Sequence, residues 1–332
     1  MIEKIILIKP RGFCAGVDRA IDIVEAALAI YGKPIYVKHA IVHNTHVVSD
    51  LKRKGVVFVE NIGKVPKNSV LIFSAHGTDP RLIEKAKQKR HKVIDATCPL
   101  VTKVHLEANR YANEGYFIIY VGHEGHPEPI GVFGEVSKKS ILLIEKASDV
   151  RNLKIPQEDK IVCLTQTTLS VDDTRDIICA LKKRFKRIML PPSSDICYST
   201  TNRQAAAKIL AKKCDLVLVI GSKTSSNSQR LVKVCREFYA NAHLIDDEKD
   251  VKRTWLTNVK VLGITSGASV PEYLIDHVIE FIKTQNSKVK IQNIEAIDEK
   301  TRFPLPDELA NQIKKTGFGL KYLKKHRSTT QI

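Results

Sequence analysis

The sequence predicts an α/β protein of three similar small parallel-sheet domains around a pseudo-threefold axis, with one site shared at the centre. Three observations predict it. The order strand, loop, helix recurs along the chain. A strand running into a cysteine that opens a helix occurs three times. Each of those cysteines is followed, at matched offsets, by two polar loops at strand ends.

The middle copy, Asp95-Ala-Thr-Cys-Pro-Leu-Val-Thr-Lys-Val-His105, shows the unit best. Val93 and Ile94 end a strand, and Pro99 suits the first position of a helix, where its missing N–H costs nothing. Val101, Val104, Ala108, Tyr111 and Ala112 follow at helical spacing. Cys98 is therefore expected at a helix N-cap, where free N–H groups and the helix dipole favour a thiolate. Ile5–Ile8 with Cys14, and Ile188–Leu190 with Cys197, repeat the plan. The cysteines lie 84 and 99 residues apart, too far for a solenoid repeat and right for small domains.

Taken in order, the strand expected from Pro34 to Val42 ends in His43-Asn44, and Val70–Phe73 ends in Ser74-Ala-His76-Gly77. Tyr116–Val121 ends in Gly122-His-Glu-Gly-His126-Pro-Glu128, and Ile161–Leu164 in Thr165-Gln-Thr167-Thr. Leu216–Ile220 leads to Ser225-Ser226-Asn227-Ser228, and Val259–Ile264 to Thr265-Ser-Gly-Ala-Ser269. Counted from its own cysteine, the first loop falls 29 residues on at His43, 28 at His126 and 30 at Asn227. The second falls 62 on at His76, 69 at Thr167 and 72 at Ser269. No one loop is specific, but the concordance makes a triplication, and ligands of parallel sheets bind at these strand ends. Domains are expected at 1–97, 98–194 and 195–282. Residues 283–332 are expected as a tail that packs back on the body and ends loosely, its last part, from about Asn311, basic.

The apolar fraction of 43% suits a globular chain with substantial cores. No apolar run approaches the roughly 18 residues of a membrane span. Met-Ile-Glu-Lys does not read as a signal peptide. Seven cysteines without a close-set framework argue for a reducing compartment, so the expected location is cytoplasmic. The formal charge of +18 suits an anionic partner. The basic residues are scattered, apart from Lys182–Arg187 and Lys324–Arg327, and no nucleic-acid motif accompanies them. Neither nucleic acid nor membrane is expected as a partner.

Three thiolates meeting at one point suit zinc with a fourth ligand such as His126, or an iron–sulfur cluster with one iron left open. Cys163, Cys179, Cys214 and Cys235 read as small buried hydrophobes. His43, His76, Ser225, Asn227 and Ser269 together suit a phosphate-like anion. Glu128 is a lone carboxyl in a closed site and should hold a raised pKa and deliver protons, while Thr167 could pass a proton or orient a hydroxyl. Pro129 is expected to bias Glu128 towards an extended backbone.

At these residues the chain resembles the 4-hydroxy-3-methylbut-2-enyl diphosphate reductase family. The resembling stretches include Pro10-Arg-Gly-Phe-Cys-Ala-Gly-Val-Asp-Arg-Ala20, Val42-His-Asn44, Phe73-Ser-Ala-His-Gly77, Asp95–His105, Gly125-His-Pro-Glu128, Thr165–Thr174, Ile196-Cys-Tyr198 with Thr200-Thr-Asn-Arg203, Ser225-Ser-Asn-Ser228 and Gly267-Ala-Ser269. The resemblance implies an oxidoreductase with one 4Fe-4S cluster per chain, held by Cys14, Cys98 and Cys197, with the fourth iron open to the substrate hydroxyl. It implies that His43, His76, His126, Thr167, Ser225, Ser226, Asn227 and Ser269 bind an allylic diphosphate. It makes Glu128 the proton donor, with Thr167 and His126 beside it in catalysis. Two electrons from a ferredoxin or flavodoxin and two protons then remove the 4-hydroxyl as water, leaving isopentenyl and dimethylallyl diphosphate at the end of the non-mevalonate route. A non-redox three-cysteine cluster enzyme of the quinolinate synthase type is the alternative, and the Thr165-Gln-Thr-Thr and Gly125-His-Pro-Glu stretches favour the reductase.

Overall fold

The computed structural model describes residues 2–156 and 159–316; the expected loose basic end past 316 lies outside them. The elements run β1 (Lys4–Lys9), α1 (Ala15–Tyr31), β2 (Ile35–Lys38), α2 (Thr45–Arg53), β3 (Val56–Val59), β4 (Val70–Phe73), α3 (Pro80–Gln88), β5 (Lys92–Asp95) and α4 (Pro99–Asn113). Then come β6 (Phe117–Val121), α5 (Pro127–Glu135), β7 (Ile141–Ile144), β8 (Ile161–Thr165), α6 (Val171–Arg184) and α7 (Tyr198–Ala211). The chain closes with β9 (Leu216–Ile220), α8 (Ser226–Glu237), β10 (Asn241–Ile245), β11 (Val261–Ser266), α9 (Glu272–Gln285), β12 (Lys290–Glu295) and α10 (Asp307–Thr316).

The strands form three sheets, ordered β3-β2-β4-β5, β7-β6-β8 and β10-β9-β11-β1-β12. Every pairing is parallel. The strand sequences explain this. Val-Leu-Ile-Phe, Ile-Val-Cys-Leu and Leu-Val-Leu-Val-Ile are apolar at every position, as strands buried on both faces must be. In the largest sheet Ile5 and Leu7 pack towards α9, while Ile6 and Ile8 pack towards α7 and α8. In the second sheet Ile119, Val121 and Cys163 face α6, whereas Ile118, Tyr120, Val162 and Leu164 face α4 and α5.

Two expectations change. The first strand is expected beside its sequence neighbours in 1–97, but β1 pairs with β11 and β12, in the sheet of residues 195–282. The repeat therefore begins after each cysteine. Its order is a central strand, an edge strand, a strand with the second loop, and a fourth strand that ends in the cysteine. β5 fills the fourth place before Cys98, and β1 fills it before Cys14. The strand expected at 188–190 shrinks to one parallel bridge, Val162 with Met189, in the equivalent place before Cys197. Second, the region after 283 supplies β12, a full edge strand, before α10 packs Leu309 against the core under α1.

Candidate active site

Cys14, Cys98 and Cys197 are the N-caps of α1, α4 and α7. Each cysteine N–H donates to the carbonyl of a second polar loop at 3.0 Å: Cys14 to Ala268, Cys98 to Ala75 and Cys197 to Thr167. The three sulfurs lie within electrostatic reach of one another. Gly16 makes room between two of them: a Cβ there would stand 2.6 Å from Cys98 Sγ and 3.9 Å from Cys14 Sγ. Cys197 Sγ also accepts from the Thr200 N–H at 3.3 Å. Three soft donors on three helix N-termini, with space kept between them, fit a thiolate-bound inorganic group. Among the described residues, no three His, Cys, Asp or Glu side chains are gathered for a single metal ion. A cluster takes its ligands at separate corners.

The expectation that the helix N-terminus lowers the Cys98 pKa does not hold for the protein alone. Burial pushes the Cys98 thiol up to about 11, and Cys197 up to about 12, although backbone N–H groups act against it. Removing the sulfur from water costs more than the helix end returns. Of the other cysteines, Cys163, Cys214 and Cys235 are buried as expected, and Cys179 is instead exposed on α6.

The first loops also cap helices. Asn44 accepts from the Val47 N–H at the start of α2, His126 from the Glu128 N–H at α5, and Ser225 from the Ser228 N–H at α8. Three imidazoles meet at these loops. The His43 ring lies 4.0 Å from His76 and 5.3 Å from His126, between centroids. Burial first, and neighbouring histidines second, lower all three pKa values, His126 to about 3. The rings are neutral without a ligand. His126 Nδ1 accepts the Glu128 N–H at 3.2 Å, so its own proton sits on Nε2.

Ser269 closes this group by donating to the His43 carbonyl at 3.0 Å. The Ser269 loop also touches the start of α8, since a Cβ on Gly267 would meet Asn227 Nδ2 at 3.5 Å. Ser226 is the first residue of α8 and half-buried. His43 Nε2 and both polar atoms of the Asn227 side chain are buried with no hydrogen-bond partner among the described residues. Buried groups of this kind are almost always paired in a working protein, so these atoms are available to a polar ligand.

Glu128 is 2% exposed. It is not extended: it is the second residue of α5, and Pro129 sits in the first turn, where its N–H is not needed. The Thr167 N–H donates to Oε2 at 2.9 Å and the Thr167 hydroxyl to Oε1 at 3.0 Å. Burial still prevails and raises the carboxyl to about 7. It is poised to hold and release a proton near neutral pH.

Sequence reasoning missed a support under the thiols. Arg203, fully buried, donates to the Gly12 carbonyl at 2.8 Å, to Ser199 Oγ at 2.6 Å and to Glu299 Oε2 at 3.0 Å. Arg203 lies in a resembling stretch, but nothing local marks Glu299 as its partner.

The LytB protein family model matches residues 5–283. The 4-hydroxy-3-methylbut-2-enyl diphosphate reductase of Nitrosomonas europaea is 49% identical over 310 residues, covering 91% of this chain and 96% of that protein. That of Histophilus somni is 49% identical over 308 residues, covering 92% and 98%. The chain belongs to the LytB family of 4-hydroxy-3-methylbut-2-enyl diphosphate reductases. Within the LytB family, the solved Plasmodium falciparum reductase superposes with a TM-score of 0.91 at 39% identity, over 96% of this chain and all of that one. A second solved reductase, described as the terminal enzyme of the non-mevalonate pathway, gives 0.61 at 30% identity, over 86% and 100%. The three-unit α/β fold is thus the LytB fold. No helix among the described residues is long and apolar enough to cross a membrane.

Proposed function

We propose that the chain reductively removes the 4-hydroxyl of (E)-4-hydroxy-3-methylbut-2-enyl diphosphate, with isopentenyl and dimethylallyl diphosphate as products. One observation carries this reading: a buried, Thr167-held carboxyl at Glu128 lies within reach of Cys98, one of three converging helix-capping cysteines. Cys14, Cys98 and Cys197 would hold a 4Fe-4S cluster. When bound, it supplies the electrons and a Lewis-acid corner for the departing oxygen.

The chain's own residues do the rest. His43, His76 and His126 meet the diphosphate, whose negative charge raises their lowered pKa values and favours their protonation. His126 donates through Nε2 even when neutral. Asn227, Ser225, Ser226, Ser269 and the N-terminus of α8 complete the anion cradle. Thr167 orients the 4-hydroxyl, and Glu128 gives the proton with which that oxygen leaves as water. Electrons come from a ferredoxin or flavodoxin, and the charge of +18 suits an acidic donor of that kind.

The test is anaerobic purification with iron and acid-labile sulfide measured per chain, followed by turnover with a reduced dye. About four of each is expected. Zinc without sulfide would end this reading. Cys98→Ser should lose both cluster and activity.

A further inference from the structure

Glu128 has a supply problem. It is shut from solvent and gives up a proton in each turnover, and a bound diphosphate would close the route above it. The face of α5 that carries it also carries Gly131 and Glu135, at helical spacings of three and seven residues. From Glu128 to Glu135 the helix rises about 10 Å. His105 of α4 lies along that interval. Its Nδ1 is 2.8 Å from Glu135 Oε1, and the Glu135 side chain is 18% exposed.

The other imidazole nitrogen lies between Gly77, next to His76, and Gly131, one turn along α5 from Glu128. His105 Nε2 is buried with no partner among the described residues. Two glycines keep it clear: a Cβ on Gly77 would stand 2.5 Å from Nε2, and one on Gly131 would stand 3.1 Å from it. His105 also lies near enough to Glu128 to favour its ionised form. Tyr120 of β6 and Cys98 are the other buried titratable groups that interact with Glu128, and burial raises the pKa of both, so neither is charged beside it.

We propose that Glu135 and His105 form a proton supply line that recharges Glu128 from solvent between turnovers. The proposal rests on Glu128 being the acid of the reaction. Glu135 takes a proton from water and passes it to Nδ1 of His105. The ring, protonated on both nitrogens in passing, gives its Nε2 proton towards the Glu128 carboxylate. Glu135 returns to its starting state and the ring is left as its other neutral tautomer, with the proton on Nδ1, until a turn of the ring restores Nε2–H; one proton moves inwards and no electrons do. Neither residue touches substrate; both act through Glu128 and are positioning residues in that sense.

The experiment compares Glu135→Gln, His105→Gln, His105→Gly and Glu128→Gln in the cluster-loaded enzyme. Glu135→Gln, at the partly exposed end of α5, is expected to keep cluster absorbance and KM, lose about tenfold in kcat and show a larger solvent deuterium effect. In His105→Gly the space between Gly77 and Gly131 admits a small ring. Added imidazole should restore turnover, whereas pyrazole, of the same shape but too weak a base to take up a proton at neutral pH, should not. Wild-type kcat in both Glu135→Gln and His105→Gln overturns the supply line, as does equal rescue by pyrazole. If those two keep full turnover while Glu128→Gln loses it, the supply line fails alone. If Glu128→Gln itself turns over normally, the acid assignment fails and the supply line with it.

Discussion

The backbone N–H of Cys197 donates to the carbonyl of Thr167 at 3.0 Å. The same threonine gives its own N–H and hydroxyl to Glu128. One residue therefore fixes the distance between a thiol and the buried acid. The bonds from Cys98 to Ala75 and from Cys14 to Ala268 do the same for the loops of His76 and Ser269. The site is tied at its back by three equivalent bonds, while His43 Nε2 and the Asn227 amide at its front keep no partner among the described residues.

Glu128→Gln is expected to keep the cluster and substrate affinity and to lose about 100-fold or more in kcat, in the usual range for a general acid. In the wild type the acid form is needed, so kcat should fall as pH rises through about 7, and a bound diphosphate moves that midpoint up rather than down. Stability follows the same sign. The folded carboxyl titrates at about 7, against 4.5 for the free group, so the folded state holds more protons between those values and stability falls as pH rises through them. Glutamine carries no such cost. The melting temperature of Glu128→Gln should exceed that of the wild type at pH 8 and approach it at pH 5. A constant gap at both pH values would mean that Glu128 is not buried as a titrating acid.

Much of this is legible in the sequence because it rests on local rules. Cys98 before Pro99, with an apolar period behind it, can only read as a helix N-cap, and it is one. The all-apolar strands announce parallel sheets. Phase is the part that local rules leave open. Three copies at matched offsets define a period but not where the unit starts, so the period alone groups β1 with α1 and β2 instead of with β11, more than 250 residues away. Long-range polar pairs are equally hidden: Arg203 and Glu299 meet across 96 residues with no pattern joining them. The Cys98 thiol goes the other way, because a helix-end rule is visible in sequence while burial is not.

Gly16→Ala tests the space between the thiols. The added Cβ would lie 2.6 Å from Cys98 Sγ, closer than real contacts allow, and a tight 3.3 Å from Cys98 Cβ, and Cys98 is held by its N–H bond to Ala75. The sulfur has to swing away from its place beside Cys14. Iron and sulfide per chain should fall severalfold while far-ultraviolet dichroism stays that of the wild type, because alanine suits a helix at least as well as glycine. Full iron content would show that the thiols do not meet over Gly16.

Asn227 offers two buried polar atoms with no protein partner among the described residues, so its loss should be felt by the ligand and little by the fold. Asn227→Ala is expected to weaken diphosphate binding by about 1–3 kcal/mol, as for other lost buried hydrogen bonds. Asn227→Asp should be worse despite its similar size, since it sets a carboxylate against an anion. Calorimetric titration with inorganic diphosphate gives both values. An aspartate variant that binds as well as the alanine variant would put the anion elsewhere.

Arg203 makes the sharpest stability prediction. Its guanidinium joins the Gly12 carbonyl, before Cys14, to Ser199, after Cys197, and to Glu299 on the segment between β12 and α10. Arg203→Met fills a similar volume but leaves the Glu299 carboxylate, whose side chain is only 13% exposed, without its cation. The expected loss is about 3–5 kcal/mol, read from anaerobic urea unfolding. Arg203→Lys keeps the charge but cannot span Gly12 and Ser199 with one ammonium, so it should fall between the two. Adding Glu299→Gln to Arg203→Met removes the stranded charge and should recover part of the loss, giving a clear departure from additivity. If the two changes simply add, Glu299 is not paired with Arg203 in solution and the arginine holds the two cysteine segments through Gly12 and Ser199 without it.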